Sequence, residues 1–141
     1  MPELITGGEA LAALISSDTC HISMLHLSWN MLRLDGAVEL ASSLEHNRHL
    51  RYLDLSYNSL GVEGGEMLGM ALISNQSLRT LLISNNNINS SACFTICVGI
   101  EENFSLEYVN MDRNPIGQGG AKILMQLPVT SGSRVTLSAS K

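Results

Sequence analysis

One asparagine recurs along the chain at a fixed spacing, and this constrains the fold more than any other feature. Consecutive copies are 28 residues apart: Asn30, Asn58, Asn86 and Asn114. The apolar residues around the first copy, Leu25, Leu27 and Leu32, have apolar counterparts in the same register in every later copy. An internal repeat of this length indicates a stacked array of similar units, so we expect a solenoid.

Each repeat changes from a strand pattern to a helical pattern. Before the asparagine, apolar residues alternate, as Leu53 and Leu55 do, which is typical of a strand. After it, they follow a spacing of three, one and three, which is one face of a helix. This helical face comprises Ala37, Leu40, Ala41 and Leu44, then Gly65, Leu68, Gly69 and Leu72, then Cys93, Ile96, Cys97 and Ile100. Two positions per copy are small, and we expect them to let the helix approach the strand layer closely.

The flanks of the helices carry start and stop signals. We expect the helices to begin just after Asp35-Gly36, Glu63-Gly64 and Ser91-Ala92. A second asparagine series, Asn47, Asn75 and Asn103, follows the helices with the same period. Asparagine tolerates the left-handed conformation that often ends a helix, so this series predicts left-handed caps. Each unit is therefore predicted to be strand, turn, helix and turn.

A single unit is too poor in core residues to fold alone. The unit from Leu50 to Ser77 has seven large core-facing residues: Leu50, Leu53, Leu55, Leu60, Val62, Leu68 and Leu72. Burying so few side chains does not offset the entropy of ordering the whole unit, so neighbouring units must stack. We expect the recurring amides to form a ladder that bonds the turns of neighbouring units. For any one asparagine, a simple turn preference is the alternative.

The repeat pattern L-x-x-L-x-L-x-x-N-x-L resembles the leucine-rich repeat. The 28-residue length and the full helix resemble the ribonuclease-inhibitor-like subclass, over roughly Ile22 to Leu127. The resemblance implies an α/β solenoid, a curved right-handed β-α superhelix with parallel strands on its concave face and helices on its convex face. It also implies a binding scaffold, while it says little about the partner.

The whole chain is predicted to be one domain, 1–141. It comprises a partial N-terminal helical unit at 1–19, repeats at about 20–47, 48–75, 76–103 and 104–131, and a terminal strand at about 133–139. The helical start Thr6–Leu11 resembles Glu63–Leu68, so the first unit has only its helical half. We expect either a piece of a larger chain or multi-subunit assembly, or a short chain whose ends a partner shields.

The residues between the core positions of each strand are expected to face outward and to bind a partner. They include all three tyrosines and the only tryptophan, and aromatic side chains are enriched at interaction hot spots. We predict Trp29, Tyr52, Tyr57 and Tyr108 as anchors, with Asp54, Asp112 and Arg113 tuning selectivity. Packing of the aromatics along the strands is the alternative.

Composition excludes several other functions. A net charge of −5 with eight lysines and arginines argues against nucleic-acid binding. No apolar run approaches the ~20 residues that span a bilayer, and the first residues lack a secretory signal. Three cysteines do not make a disulfide framework, so we expect a reducing, cytoplasmic setting, with a nuclear or a cytoskeletal or ciliary one as alternatives.

No catalytic or cofactor motif stands out, so we predict neither an enzyme nor a cofactor. Cys93 and Cys97 fall on small core positions, which favours buried, inert thiols. Cys20, His21, His46 and His49 could approach one another and hold zinc, but their spacing matches no zinc pattern. Solvated loop histidines are the preferred interpretation, and no metal is predicted.

The sequence therefore predicts a non-enzymatic protein-protein interaction module that binds a protein through its concave face and adjoining loops. One alternative is a regulator of a small GTPase, through resemblance to the GTPase-activating protein of Ran. The other is a structural spacer in a cytoskeletal or ciliary assembly, whose contacts would be its ends rather than its concave face.

Overall fold

The computed structural model describes residues 4–127 and 135–140, in which five helices alternate with five short strands. In chain order the elements are α1 (Gly7–Ser16), β1 (Met24–His26), α2 (Leu34–Ser43), β2 (Tyr52–Asp54), α3 (Gly61–Ser74), β3 (Thr80–Leu82), α4 (Ser90–Glu102), β4 (Tyr108–Asn110), α5 (Gly117–Gln126) and β5 (Thr136–Ser138). The strands form one parallel sheet in sequential order, and each helix packs against the next. The predicted α/β solenoid is confirmed.

The repeat period sets the register of the sheet. Tyr52 pairs with Met24 on one side and with Thr80 on the other, each 28 residues away. The same step joins Tyr108 to Thr80 and to Thr136. The first three residues and the end of the last repeat, with the start of the predicted terminal strand, lie outside the described residues.

A continuous core runs between the sheet and the helices. The predicted helical face is buried in all three central repeats; Leu40, Leu68 and Ile96, for example, have no exposed surface. One core assignment was wrong, because Val62 is 38% exposed. Helix α3 begins at Gly61, a residue with a φ of 67°, and this early start turns Val62 toward solvent in the first turn.

The helices also begin earlier than the start signals predicted. They start at Leu34, Gly61 and Ser90, so the predicted signals lie within the first turn instead of before it. Asp35 and Glu63 are therefore first-turn carboxylates, where they interact favourably with the positive end of the helix dipole. The acidic residues mark the helix start through charge rather than as caps.

The small residues of the helices serve a different contact from the predicted one. A Cβ built on Gly69 would lie 2.5 Å from the backbone carbonyl of Thr95 in the next helix, and one on Gly99 would overlap the carbonyl of Gly69. These glycines therefore bring α3 and α4 together. The prediction that small residues bring each helix onto the strand layer is wrong at Gly69, because its tightest approach is to the backbone of the next helix.

The first asparagine series bonds neighbouring turns beside the sheet. The Oδ1 atom of Asn58 accepts hydrogen bonds from the backbone of Asn30 and of Leu32, both at 3.0 Å. Its Nδ2 donates to the carbonyls of Leu27 in the preceding unit and of Leu55 in its own, both at 2.8 Å. Asn86 and Asn114 likewise donate one unit back, so we call this series the strand-side ladder.

The second asparagine series forms another ladder, at the ends of the helices. Asn75 has no exposed surface, and its Nδ2 donates to the carbonyls of Leu44 and Asn47 in the preceding unit. Its Oδ1 accepts from the backbone of Ser77 and of Leu78. Asn47 and Asn103 bond in the same way, Asn47 reaching the carbonyl of Ile15. We call this series the helix-side ladder.

The predicted left-handed caps at Asn47, Asn75 and Asn103 are wrong. Asn75 has φ −76° and ψ 118°, and Asn103 has φ −94° and ψ 132°, both extended. Asn47 is not among the residues with positive φ. An extended backbone points the amide into the interior, where it satisfies carbonyls of the previous unit.

The contact between α3 and α4 gives a stability test. We expect Gly69→Ala to lower the free energy of unfolding by about 1–3 kcal/mol or more, because its methyl group meets rigid backbone. Chemical denaturation monitored by circular dichroism measures the change.

Gly119 in α5 is the matched control. A Cβ there would meet only the Cβ of Ser90, at 3.8 Å. Gly119→Ala should therefore raise stability by roughly 0.5–1 kcal/mol, the ordinary helix preference. Equal effects of the two substitutions would contradict the tight helix contact.

The thiols give a second test. Cys20, Cys93 and Cys97 are free and at most 5% exposed. The hydrogen bond that the Cys97 thiol donates to Cys93, together with burial, raises the pKa of Cys97 above its usual range. Because only an exposed thiolate reacts, a thiol reagent at neutral pH should label the native protein at least about a hundredfold more slowly than the urea-unfolded protein. Immediate labelling of the native protein would contradict this packing.

Candidate functional site

The outward-facing residues of the strands form one surface, here called the strand face. It comprises Met24, His26, Tyr52, Asp54, Thr80, Leu82, Tyr108 and Asn110. The rings of His26 and Tyr52 lie 4.8 Å apart in a tilted contact. Tyr52 and Tyr108 each pair with Thr80 from opposite sides, so the structure places these two predicted anchors on one face without bringing them together.

A second surface borders the strand face where the chain leaves the strands. It consists of Trp29, Tyr57, Asn85 and Arg113, whose φ values are 62°, 57°, 54° and 57°. We call these residues the left-handed row. The sequence pattern predicts Trp29, Tyr57 and Arg113 as strand residues, but β2 ends at Asp54 and Tyr57 lies in the turn that follows. Their predicted assignment to the strands is therefore wrong.

The left-handed conformation of the row follows from the turn. The backbone N–H of Trp29 donates to Ser56 at 3.1 Å and that of Tyr57 to Ser84 at 2.8 Å, so pairing continues beyond the strands. The next residue in each copy is the ladder asparagine, whose side chain must turn inward. For a residue other than glycine this backbone costs roughly 1–2 kcal/mol, which the surrounding hydrogen bonds must offset.

The row is continuous across the units. The rings of Trp29 and Tyr57 stack in parallel, with centroids 4.1 Å apart and planes 8° apart. The guanidinium of Arg113 donates to the Tyr57 hydroxyl oxygen at 3.3 Å and so reaches across the unit that carries Asn85. Trp29 remains 72% exposed. Three of the predicted site residues thus meet in one row, and its outer end presents an open indole ring.

The carboxylates of the site bond within the protein. An oxygen of Asp54 accepts from the backbone of Ser56 at 2.9 Å, and the charge of Asp54 adds to desolvation in raising the pKa of Tyr52. Asp112 accepts from the Ser138 hydroxyl at 2.8 Å and from the Ser140 backbone at 2.5 Å. The Ser140 N–H is the main reason that the pKa of Asp112 lies below its usual value.

Sequence reasoning missed this link between Asp112 and the last strand, although the repeat period contains its signal. Ser138 and Ser140 follow Asn110 and Asp112 by 28 residues, so they occupy the next unit at equivalent positions. Asp112 is followed by serines 26 and 28 residues later, in the neighbouring strand, and this spacing would have predicted the contact.

The histidine and cysteine cluster is only partly assembled. The rings of His21 and His49 meet edge to face, with centroids 4.5 Å apart, whereas Cys20 is buried and His46 is exposed. In the ranges 4–127 and 135–140, no three histidine, cysteine or acidic residues are grouped to hold a metal ion. Nor does any helix of these ranges have the length and apolar character that crossing a membrane requires.

Comparison with known proteins identifies the family. The family described as Leucine Rich repeat matches residues 46–69, 74–97 and 102–125, together about half of the chain. No curated protein sequence matches significantly. Among solved structures, the fold is similar to the one named Leiomodin-1 Actin-Binding Site 2 (ABS2), with a TM-score of 0.83 and 11% identity over 96% of this chain and 80% of that one. That identity shows likeness of fold alone, and the three repeat matches show that the chain belongs to the leucine-rich repeat family.

Proposed function

We propose that the chain is a non-enzymatic module that binds a protein partner through the strand face and the left-handed row. The main support is the stacked pair of Trp29 and Tyr57, in which Trp29 is 72% exposed and Tyr57 half-buried although the backbone of both is held in a costly conformation. Strained residues cluster at functional sites, and exposed aromatic side chains mark interaction surfaces. Folds of this family serve as scaffolds, so the site rather than the fold carries the proposal.

The rigidity of the pair favours binding. Each ring is held by the other and by a turn fixed with backbone hydrogen bonds, so a partner need not order it. Ordering side chains is one of the main costs of association, and a preformed surface lowers it. Packing along the strands accounts for Tyr52, which contacts His26, but it leaves most of the Trp29 ring uncovered.

The strand face alone is too small for a standard protein interface, so the proposed interface includes the left-handed row. Strands of three residues span ~10 Å, and four strands at ~4.8 Å spacing give a surface of only a few hundred Å². A standard complex buries about 800 Å² per partner. Met31, in the loop beyond Trp29, and Leu34, the first residue of α2, are 74% and 73% exposed. We propose that the partner extends from the strand face over the row onto these two apolar residues.

The proposed roles follow from the contacts. Trp29 and Tyr57 are the main anchors, while Tyr52 and Tyr108 add apolar contact on the strand face. Asp54 and Arg113 supply the charges that select a partner. Because the Asp112 carboxylate bonds Ser138 and Ser140, we propose that it influences selectivity by holding β5 in place.

Two finer assignments are part of the proposal. The 28-residue period and helices of 10 to 14 residues support the ribonuclease-inhibitor-like subclass. Three free cysteines, all buried, support a reducing compartment such as the cytoplasm. Because the likeness to the leiomodin domain extends to the fold alone, we do not assign actin as the partner.

The aromatic pair supplies the test. We expect the double variant Trp29→Ala, Tyr57→Ala to lose at least about 2 kcal/mol of partner binding, or roughly thirtyfold in affinity, as hot-spot aromatics do. Capture from cell extract, quantified by mass spectrometry, identifies candidate partners with the unmodified protein. Titration of each purified candidate then measures the loss.

Phe94 provides a matched control, since it is an aromatic residue on α4 that is 55% exposed and belongs to neither surface. Phe94→Ala should leave binding unchanged. Loss of binding with Phe94→Ala but not with the double variant would place the interface on the helices. Stimulation of GTP hydrolysis in a panel of small GTPases would instead support the regulator alternative.

A further inference from the structure

Cationic and imidazole side chains gather where the chain enters the strands. Arg48, His49 and Arg51 lead into β2, Arg79 comes directly before β3, and His21 lies one repeat before His49. All five residues are exposed. We call this surface the basic edge. It lies at the opposite ends of the strands from the left-handed row and belongs to neither surface of the proposed function.

The basic edge differs in charge from the chain as a whole. The protein has 13 acidic residues and eight lysines and arginines, and Arg48, Arg51 and Arg79 are three of those eight. The backbone N–H of Arg79 donates to the carbonyl of Arg51 at 2.8 Å, so these two arginines are neighbours on adjacent strands. Like charges at neighbouring positions repel each other and destabilise a sheet, so the fold gains nothing from this arrangement.

The end of the helix does not require the charge of Arg48. Its guanidinium donates to the carbonyl of Glu45, just after α2, at 2.9 Å. One repeat later, the neutral amide of Gln76 makes the equivalent bond to the carbonyl of Ile73 at 3.2 Å. Because a neutral side chain satisfies the same carbonyl, the positive charge of Arg48 is left without a structural role.

The entry to the strands does not require a cation either. In the next repeat, the position of Arg51 and Arg79 is occupied by Glu107, which has the opposite charge. Arg79 lies 3.4 Å from Glu107, but their side chains are 60% and 57% exposed, and such a pair adds little stability. Within residues 4–127 and 135–140 this is the only ion pair, so Arg48 and Arg51 have no carboxylate partner in these ranges.

The guanidinium of Arg51 is oriented by the backbone. Its Nη1 donates to the carbonyls of Arg48 at 3.3 Å and of Ser77 at 3.1 Å. The N–H groups of Nη2 and Nε remain available, and a planar fork of this kind matches a carboxylate. The rings of His21 and His49 meet with centroids 4.5 Å apart and add N–H donors at the same edge.

An exposed ring lies at the far end of the same edge. Phe104 is 90% exposed and occupies the repeat position of Arg48 and Gln76. Its backbone N–H donates to the Oε1 of Gln76 at 2.8 Å, which connects the two repeats. Two repeats separate Arg48 from Phe104, or roughly 10–20 Å at the spacings of strands and of packed helices. An extended chain covers this distance in about three to six residues.

We propose that the basic edge binds an acidic, extended segment of a partner protein. Carboxylates of the segment contact Arg48, Arg51 and Arg79, and an apolar residue of the same segment covers Phe104. The arginines are distributed over two repeats instead of converging on one point, which suits a row of carboxylates. The acidic residues elsewhere in the chain repel a long polyanion such as RNA, so a short acidic segment is the better fit. This proposal does not depend on the proposed function.

Synthetic peptides provide the probe. We expect a fluorescent oligoglutamate peptide with a phenylalanine after its glutamates to bind saturably in fluorescence anisotropy at low ionic strength. Added salt should weaken this binding, because it screens exposed charges. The matching oligoglutamine peptide with the same phenylalanine should not bind. Chemical-shift changes by NMR should be largest at Arg51 and Phe104.

Substitutions taken from the repeat itself test the arginines. Arg51→Glu introduces the residue that Glu107 supplies before β4, and it should weaken peptide binding at least about tenfold. Arg33→Glu changes the net charge equally at an exposed residue beyond the left-handed row, and it should change binding by less than about twofold. Arg48→Gln keeps the helix-end bond that Gln76 makes, and it should weaken binding about threefold or more. Circular dichroism verifies that each variant folds.

Phe104→Ala tests the apolar end of the site. This variant should bind the peptides with and without phenylalanine equally, whereas the unmodified protein should prefer the peptide that has it. A preference that persists in Phe104→Ala would contradict this contact.

Three results would overturn the proposal. The first is no saturable binding of the glutamate peptide. The second is equal weakening by Arg51→Glu and Arg33→Glu, since it shows that only the net charge matters. The third is tighter binding of oligouridylate than of the glutamate peptide, because the edge would then be a site for RNA.

Discussion

A buried side-chain amide that joins one unit to the next is the interaction on which the rest of the structure depends. Asn75 donates to Leu44 at 2.8 Å and to Asn47 at 3.1 Å, and it accepts from the two residues that lead into β3. Leaving one such group unpaired in the interior costs about 1–3 kcal/mol. The carbonyls that accept from Asn75 and the N–H groups that donate to it belong to different units. The amide therefore fixes the position of the helix end relative to the following strand.

The strand-side ladder determines the shape of the proposed binding surface. To turn its asparagine inward, the chain adopts a left-handed conformation at the preceding residue, and this places Trp29 and Tyr57 side by side. The turn thus satisfies the backbone and at the same time places the two stacked rings at the surface, where Trp29 is exposed and Tyr57 half-buried. In this account the candidate site arises from the same hydrogen bonds that build the fold.

The 28-residue period was sufficient to predict the fold, because burial in a solenoid repeats with the sequence. The residues spaced around Leu68 and Ile96 are buried as the pattern predicted. The period could not show which neighbouring element each small residue contacts. Small size at Gly69 is equally compatible with a close strand or a close helix, and only the packing shows that Thr95 of the next helix is the neighbour.

The sequence predicted which residues form the candidate site better than it predicted their backbone geometry. Their place between core positions identified Trp29 and Tyr57 as outward-facing, but the pattern does not show where a strand stops, and the left-handed turn lies beyond that point. The helix-capping preference of asparagine led to a wrong prediction of backbone conformation. It suggested left-handed caps at Asn75 and Asn103, where the need to satisfy buried carbonyls selects an extended backbone.

The most direct measurement compares unfolding of Asn75→Ala and Asn30→Ala by urea titration. Asn75 makes bonds in two units and is fully buried, whereas Asn30, in the first repeat, is exposed and donates within its own turn. The account predicts a loss of about 2 kcal/mol or more for Asn75→Ala, and a change within about 0.5 kcal/mol for Asn30→Ala. Similar small losses for both would contradict the claim that buried amides join the units.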